Sequence, residues 1–187
     1  NRNLNYKNDP VIKFILKLKK KKIKNLIEIG CGDGSRLSYI QNNLGIKSFG
    51  IDPSAQAIRN TSHIKNQCKI ATADKVPYSD NKFDLIIFGQ SLMYFDDDLL
   101  TNVVNETYRI LRKKSYILIN DFYSNNIKYK KYKYYKKIKI RKMNNSMLFI
   151  WHPRIELIKE VIYSYKNSKI KNNRVSIHLL KCNKNNS

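Results

Sequence analysis

The sequence predicts an α/β fold built on a mostly parallel sheet with helices on both faces. Three observations carry that expectation. Residues 26–37, LIEIGCGDGSRL, read as a buried strand, a loop of alternating glycines and a helix start. Residues 83–88, FDLIIF, form an almost unbroken apolar run, as a strand covered on both faces requires. Asp52 closes another apolar run roughly 20 residues past the glycine loop, where a doubly wound sheet places an acid for ribose hydroxyls.

The elements follow in order. An amphipathic helix is predicted over 9–22, with Val11, Ile12, Ile15, Leu16 and Leu18 apolar and Pro10 in its first turn. The lysine run 19–22 suits a solvated helix C-terminus. Strand 1 leads into Gly30, Gly32 and Gly34, where bare backbone can turn sharply and admit a ligand. The next helix shows Leu37, Ile40, Gln41 and Leu44 on one face, with Ser35 as its cap. Strand 2 spans 47–51, and a helix over 53–59 follows. Strand 3 spans 68–72 and strand 4 spans 83–88. Asp96 to Asp98 cap a helix over 99–111, Arg112 to Ser115 form a turn, and strand 5 follows. Pro153 begins a helix through Tyr163, with Ile155, Leu157, Ile158, Val161 and Ile162 as its core face. Residues 175–182 alternate as a last strand.

Strand, glycine loop and helix together mark a nucleotide-type cofactor site. The spacing is G-x-G-x-G, preceded by Glu28, whereas a dinucleotide fingerprint is G-x-G-x-x-G. The stretch resembles motif I, E/D-x-G-x-G-x-G, of the class I S-adenosylmethionine (SAM)-dependent methyltransferases. GIDPS at 50–54 and the stretch from Asp74 through Val76, Pro77 and Tyr78 to FDLI match the same family, in its small-molecule and ubiquinone-biosynthesis type. Residues 112–115 lack the family's Pro-Gly-Gly turn. The resemblance covers roughly 24–122 by motif and 145–182 by pattern. It implies a Rossmann-like, seven-stranded, mostly parallel sheet with an antiparallel C-terminal strand. It also implies SAM as cofactor, held by Glu28, Gly30, Cys31, Gly32, Gly34, Asp52, Pro53, Ala73, Asp74, Lys75, Gly89 and Gln90. Within that set, Asp52 takes the ribose hydroxyls, and Asp74 with the main chain of Ala73 or Lys75 takes the adenine edge. Gly89 and Gln90 leave strand 4 beside the methionine end and the acceptor.

At 187 residues the chain is expected to be a single domain, with a Lys/Tyr-rich insertion at about 125–142. No membrane span and no apolar signal core are visible in it, and Cys31, Cys68 and Cys182 lack metal or C-x-x-C spacing. The expectation is therefore reduced thiols, no metal and a cytoplasmic protein. Cys31 reads as a small filler beside the cofactor, with a nucleophilic role as its alternative. The formal charge is +23, from 37 Lys and Arg against 14 Asp and Glu. Two readings of that charge stand side by side. Heavy use of Lys, Asn, Ile and Tyr fits an A+T-rich coding bias, and basic and aromatic residues interleaved between Lys128 and Lys142 fit contact with RNA or another polyanion. The same segment also suits a lid over the acceptor.

Methyl transfer from a sulfonium is an in-line displacement in which the protein supplies binding and alignment. The residues named as bases for a hydroxyl acceptor are His152, Tyr94 and Asp96, with His63, His178 and Tyr123 behind them. The strand 4 exit, Phe88-Gly89-Gln90-Ser91, lacks the Asn/Asp-Pro-Pro-Tyr motif of enzymes that methylate base amino groups, and no Pro-Cys nucleophile is present. These features point to a small-molecule or glycan acceptor. An RNA methyltransferase and a non-catalytic Rossmann-like binding module are the alternatives.

Overall fold

A computed structural model describes residues 6–18, 22–61, 64–131, 138–164 and 174–184. Strand β1 (Asn25–Ile29) lies between β2 (Lys47–Asp52) and β4 (Phe83–Gly89), parallel to both. Strand β3 (Cys68–Ile70) extends the sheet beyond β2, and β5 (Leu111–Phe122) lies beyond β4, again in parallel. The short ribbon of β6 (Lys128–Lys131) and β7 (Lys139–Lys142) stands apart. Strands β8 (Ile155–Ser164) and β9 (Arg174–Cys182) complete a seven-stranded sheet of order β3-β2-β1-β4-β5-β9-β8. The last strand runs antiparallel to both neighbours, as the sequence leads one to expect.

Both faces are covered, which explains the near-continuous apolar character of β1 and β4. Helices α1 (Pro10–Leu18), α2 (Ser35–Leu44) and α3 (Ala55–Arg59) pack on one face. Val11, Ile15, Leu37 and Ile40 meet Leu85, Ile87 and Leu118 there. Helices α4 (Leu100–Ile110) and α5 (Met147–Ile150) cover the other face. Val103, Ile110 and Phe149 meet Ile86, Phe88 and Ile119. Leu37 and Ile40 are fully buried, and each contributes about 2 kcal/mol. No described helix is long and apolar enough to cross a membrane.

Three expectations need correction. The helix predicted from Pro153 to Tyr163 is strand β8. Its apolar residues fall at helical spacing because a bulge between Leu157 and Lys159 breaks the two-residue alternation. Helix packing would bury that set, yet Leu157, Ile158 and Ile162 are 39%, 50% and 40% exposed on the sheet edge. The turn at 112–115 is a wide irregularity inside β5. A two-residue step on β4 (Phe83 to Leu85) stands opposite a five-residue step on β5 (Leu111 to Tyr116). Lys114 there adopts φ +56°, the left-handed conformation that glycine otherwise supplies. Helix α1 ends at Leu18, before the lysine run, of which 19–21 lie outside the described residues. The central part of the 125–142 segment, 132–137, lies outside them too.

Candidate functional site

The site is built at the carboxyl ends of β1, β2 and β4. Gly30, Gly32 and Gly34 have φ of +78°, +57° and +70°, so side chains are disfavoured at all three. A Cβ on Gly30 would also meet Ser91 Cβ at 2.7 Å. The loop is pinned to β2, because the Gly30 and Cys31 amides both donate to Ile51 O, at 2.8 and 3.0 Å. Asp52 accepts from Gly32 N with one carboxylate oxygen and from Ser54 N with the other, each at 2.9 Å. Its first visible task is therefore to hold the loop, with lone pairs left for a ligand. Ser35 is the first residue of α2 rather than its cap. The Asp33 carboxylate accepts from Ser35 N at 3.0 Å instead.

Two cavities meet at Gly30. The larger, about 450 Å³, is walled by the glycine loop, Glu28, Gly89, Gln90 and Asn120, and by Tyr6, Asn8, Asp9 and Pro10 at the start of α1. The smaller, about 130 Å³, is a slot among Ile51, Pro53, Ala73, Phe95, Leu99 and Val103, with Asp74 in its wall. An apolar slot edged by two carboxylates, Asp74 and Asp96, suits a planar heterocycle that carries an amino group.

The larger cavity holds three carboxylates, Asp9, Glu28 and Asp33, against the guanidinium of Arg36. This is an acidic cleft in a chain of formal charge +23. Arg36 donates to Asp9 Oδ2 at 2.9 Å and to Glu28 Oε1. The Glu28 carboxylate and the other paired acid hold the guanidinium protonated. Gly89 makes room for this pair, since a Cβ there would meet Glu28 Oε1 at 2.7 Å and collide with the guanidinium. Glu28 Oε2 is buried with no hydrogen-bond partner. Burial pushes the Glu28 carboxyl up to about 7, even with Arg36 beside it. A buried acceptor in the wall of a cavity suits a cationic donor.

Of the residues picked from sequence, Glu28, Gly30, Cys31, Gly32, Gly89 and Gln90 wall the larger cavity. Pro53, Ala73, Asp74, Tyr94 and Asp96 wall the slot. Gly34, Asp52 and Lys75 line neither cavity; Lys75 is exposed. Gln90 takes φ +63° and donates its amide to Asn120 O at 2.8 Å, turning the chain out of β4. His152 is away from both cavities, stacked on Tyr108 at 4.3 Å, and burial lowers its pKa. His178 is buried on β9 against Glu160 Oε2 at 2.7 Å. Tyr123 lies under Arg174, and His63 is outside the described residues. Sequence reasoning missed Asp9, Arg36 and Asn120. One signal pointed to Arg36: a cation in the first turn of a helix opposes the helix dipole and calls for carboxylates nearby.

The family model described as "Methyltransferase domain" matches residues 27–119, which hold most of β1, β2 to β4, the glycine loop and most of β5. Over those residues the chain is similar to methyltransferases. It shares 26% identity over 88 residues with the zebrafish (Danio rerio) protein "Arginine-hydroxylase NDUFAF5, mitochondrial", covering 46% of this chain and 27% of that one. It shares 26% over 115 residues with norajmaline N-methyltransferase of Rauvolfia serpentina, covering 57% and 39%. The chain thus spans well under half the length of the curated relatives it matches. Its fold superposes at a TM-score of 0.75 on 1,6-didemethyltoxoflavin-N1-methyltransferase of Burkholderia thailandensis, whose structure holds S-adenosylhomocysteine. That likeness has 10% identity and covers 96% of this chain and 81% of the other.

Proposed function

We propose that the chain transfers the methyl group of SAM to a small-molecule acceptor that enters through the larger cavity. The observation that carries this reading is the buried, unpartnered Glu28 Oε2 in an acidic cleft beside bare backbone. SAM brings an ammonium and a sulfonium to such a cleft, and its adenine fits the apolar slot. Glu28 would hold the ammonium, Asp52 the ribose, and Asp74 the adenine amino group. SAM supplies the reactive methyl. This chain's residues bind, align and exclude water.

Among the described residues, no histidine lines either cavity. Tyr94 and Asp96 line the slot given to the adenine and not the larger cavity.

The β6–β7 ribbon supports the lid reading of its segment. Arg141 is buried and donates to Leu92 O and Phe95 O, both at 3.0 Å, and to Asp97 Oδ1 at 2.5 Å. Tyr129 donates to the other Asp97 oxygen at 2.5 Å. The ribbon is thereby latched onto the segment that leaves β4, over a further cavity of about 500 Å³. A free polyanion-binding arm has no need of that latch. The deciding experiment gives labelled SAM and the protein to cell extract, separated into small-molecule, glycan, RNA and protein fractions. Label in the small-molecule fraction is expected. Label confined to RNA would transfer the reading to an RNA methyltransferase, and no label with intact SAM binding would make the chain a binding module.

A further inference from the structure

Gly50 on β2 has no room for a side chain. A Cβ there would meet Cys31 Sγ at 2.6 Å and Cys31 Cβ at 2.8 Å. The register partner of Gly50 on β3 is Cys68. Cys31 therefore fills the space above Gly50 and lies beside Cys68, on the sheet face packed by α2. The Cys31 thiol donates to Gly32 O at 3.7 Å, and Cys68 is the neighbour that most perturbs it. Both residues are free thiols, 8% and 5% exposed, and Cys31 also opens onto the larger cavity.

The two thiols share one small space over β2 and β3. The Cys68 side chain and then burial raise the pKa of Cys31, and the Cys31 side chain lowers that of Cys68. A sulfur that leans toward thiolate, with a second thiol beside it, has both a site of attack and a resolving partner. Cys182 lies on the opposite face of the sheet, among the α4-side core.

We propose that Cys31 and Cys68 form a peroxide-oxidisable dithiol beneath the glycine loop, and that its disulfide form binds SAM more weakly. The second half rests on the reading of that loop as the SAM cradle. The Cys68 thiolate attacks one oxygen of hydrogen peroxide. The O–O bond breaks, and the departing hydroxide takes up the proton that the thiol released, forming water. Cys68 is then a sulfenic acid. The Cys31 sulfur attacks it, the S–O bond breaks, and the hydroxyl leaves with the Cys31 proton as a second water. Two thiols and one peroxide give one disulfide and two waters.

Formation of the disulfide brings the sulfurs to about 2 Å and the β-carbons to about 4 Å. Cys31 is drawn toward β3, and its neighbours Gly30 and Gly32 follow. The cradle leaves its working geometry, and SAM affinity is expected to fall about tenfold. Linkage requires the converse, so saturating SAM lowers the tendency to form the disulfide tenfold, or about 30 mV for this two-electron couple.

The test treats the full chain with hydrogen peroxide, alkylates it under denaturing conditions and maps its peptides. The expected product joins the peptides of Cys31 and Cys68, with Cys182 alkylated. Calorimetry should then show SAM bound about tenfold more weakly, recovering with dithiothreitol. Cys68→Ser should bind SAM as the reduced parent does and ignore peroxide. Should that variant not fold, the map of the parent chain still decides. Peroxide-treated protein with both cysteines alkylated, or oxidised to sulfinic acid without a link, overturns the dithiol. A mapped disulfide with unchanged SAM affinity overturns its coupling to the cofactor. Reduced protein that binds no SAM would overturn the cradle reading, while the peptide map still decides the dithiol.

Discussion

Replacing Glu28 by Gln should remove a defined part of the pH dependence of stability. Glu28 is 2% exposed, and burial lifts its carboxyl from 4.5 to about 7. The folded chain therefore holds this proton more tightly than the unfolded chain does. The resulting stabilisation is complete below the unfolded value near 4.5 and is lost as pH rises through about 7. One pKa step is about 1.4 kcal/mol, so the loss between pH 4 and 8 is about 3 kcal/mol. The Gln side chain does not titrate, so the variant should lack this component. Asp121 serves as an internal control, because burial raises its carboxyl to about 7 as well and its share stays in both proteins. Urea unfolding of the ligand-free parent and variant across that range measures the difference. Parallel stability curves would show that Glu28 is not a buried titrating group, and would remove the ground for its ammonium role. SAM binding adds a second readout. Affinity for the parent should rise with pH through about 7, as Glu28 ionises against the ammonium, and that rise should be absent in Glu28→Gln.

Asp52→Ala releases the amides of Gly32 and Ser54 together with any ribose contact, and calorimetry should show SAM affinity reduced about 30-fold, near 2 kcal/mol. Unchanged affinity would take Asp52 out of the site. Gly89→Ala places a methyl against Glu28 Oε1 and Arg36, so it should lose SAM binding and about 2 kcal/mol of stability in urea unfolding. Arg141→Leu cuts the latch to Leu92, Phe95 and Asp97, and acceptor turnover should fall well beyond any change in SAM affinity. Equal losses in both would make the ribbon part of the cofactor site. In the same variant the Asp97 carboxyl, held low by Tyr129 and then by Arg141, should move back toward its ordinary value, as NMR titration would show.

The glycine-loop half of the candidate site was legible in the sequence because its requirements are local. Glycines at 30, 32 and 34 and an acid after β2 declare a backbone conformation and a charge within a few residues of each other. What the local pattern could not show was assembly across distance. Arg36 reaches Asp9, which precedes it by 27 residues, and Asn120 reaches the cavity only because β5 lies beside β4. Strand β8 was misread for a related reason. Ile155, Ile158 and Ile162 fit a helix by spacing, and only pairing with β9, with a bulge, makes them a strand. Lys114 carries a left-handed turn without glycine, so the segment that lacks Pro-Gly-Gly stays within β5 as a local irregularity. The histidines drew attention for their chemistry, yet His152 and His178 serve packing and hydrogen bonding.

The position of β8 bears on how this protein behaves in a test tube. As the terminal strand of the sheet among the described residues, it offers open backbone groups beside Ile158 and Ile162. Two such margins could zip together, but each molecule carries a formal charge of +23. That repulsion reaches about 10 Å at 0.1 M ionic strength and about 3 Å at 1 M. Concentrated stocks therefore keep best in dilute buffer, and raising the ionic strength brings the bare margins within range of one another.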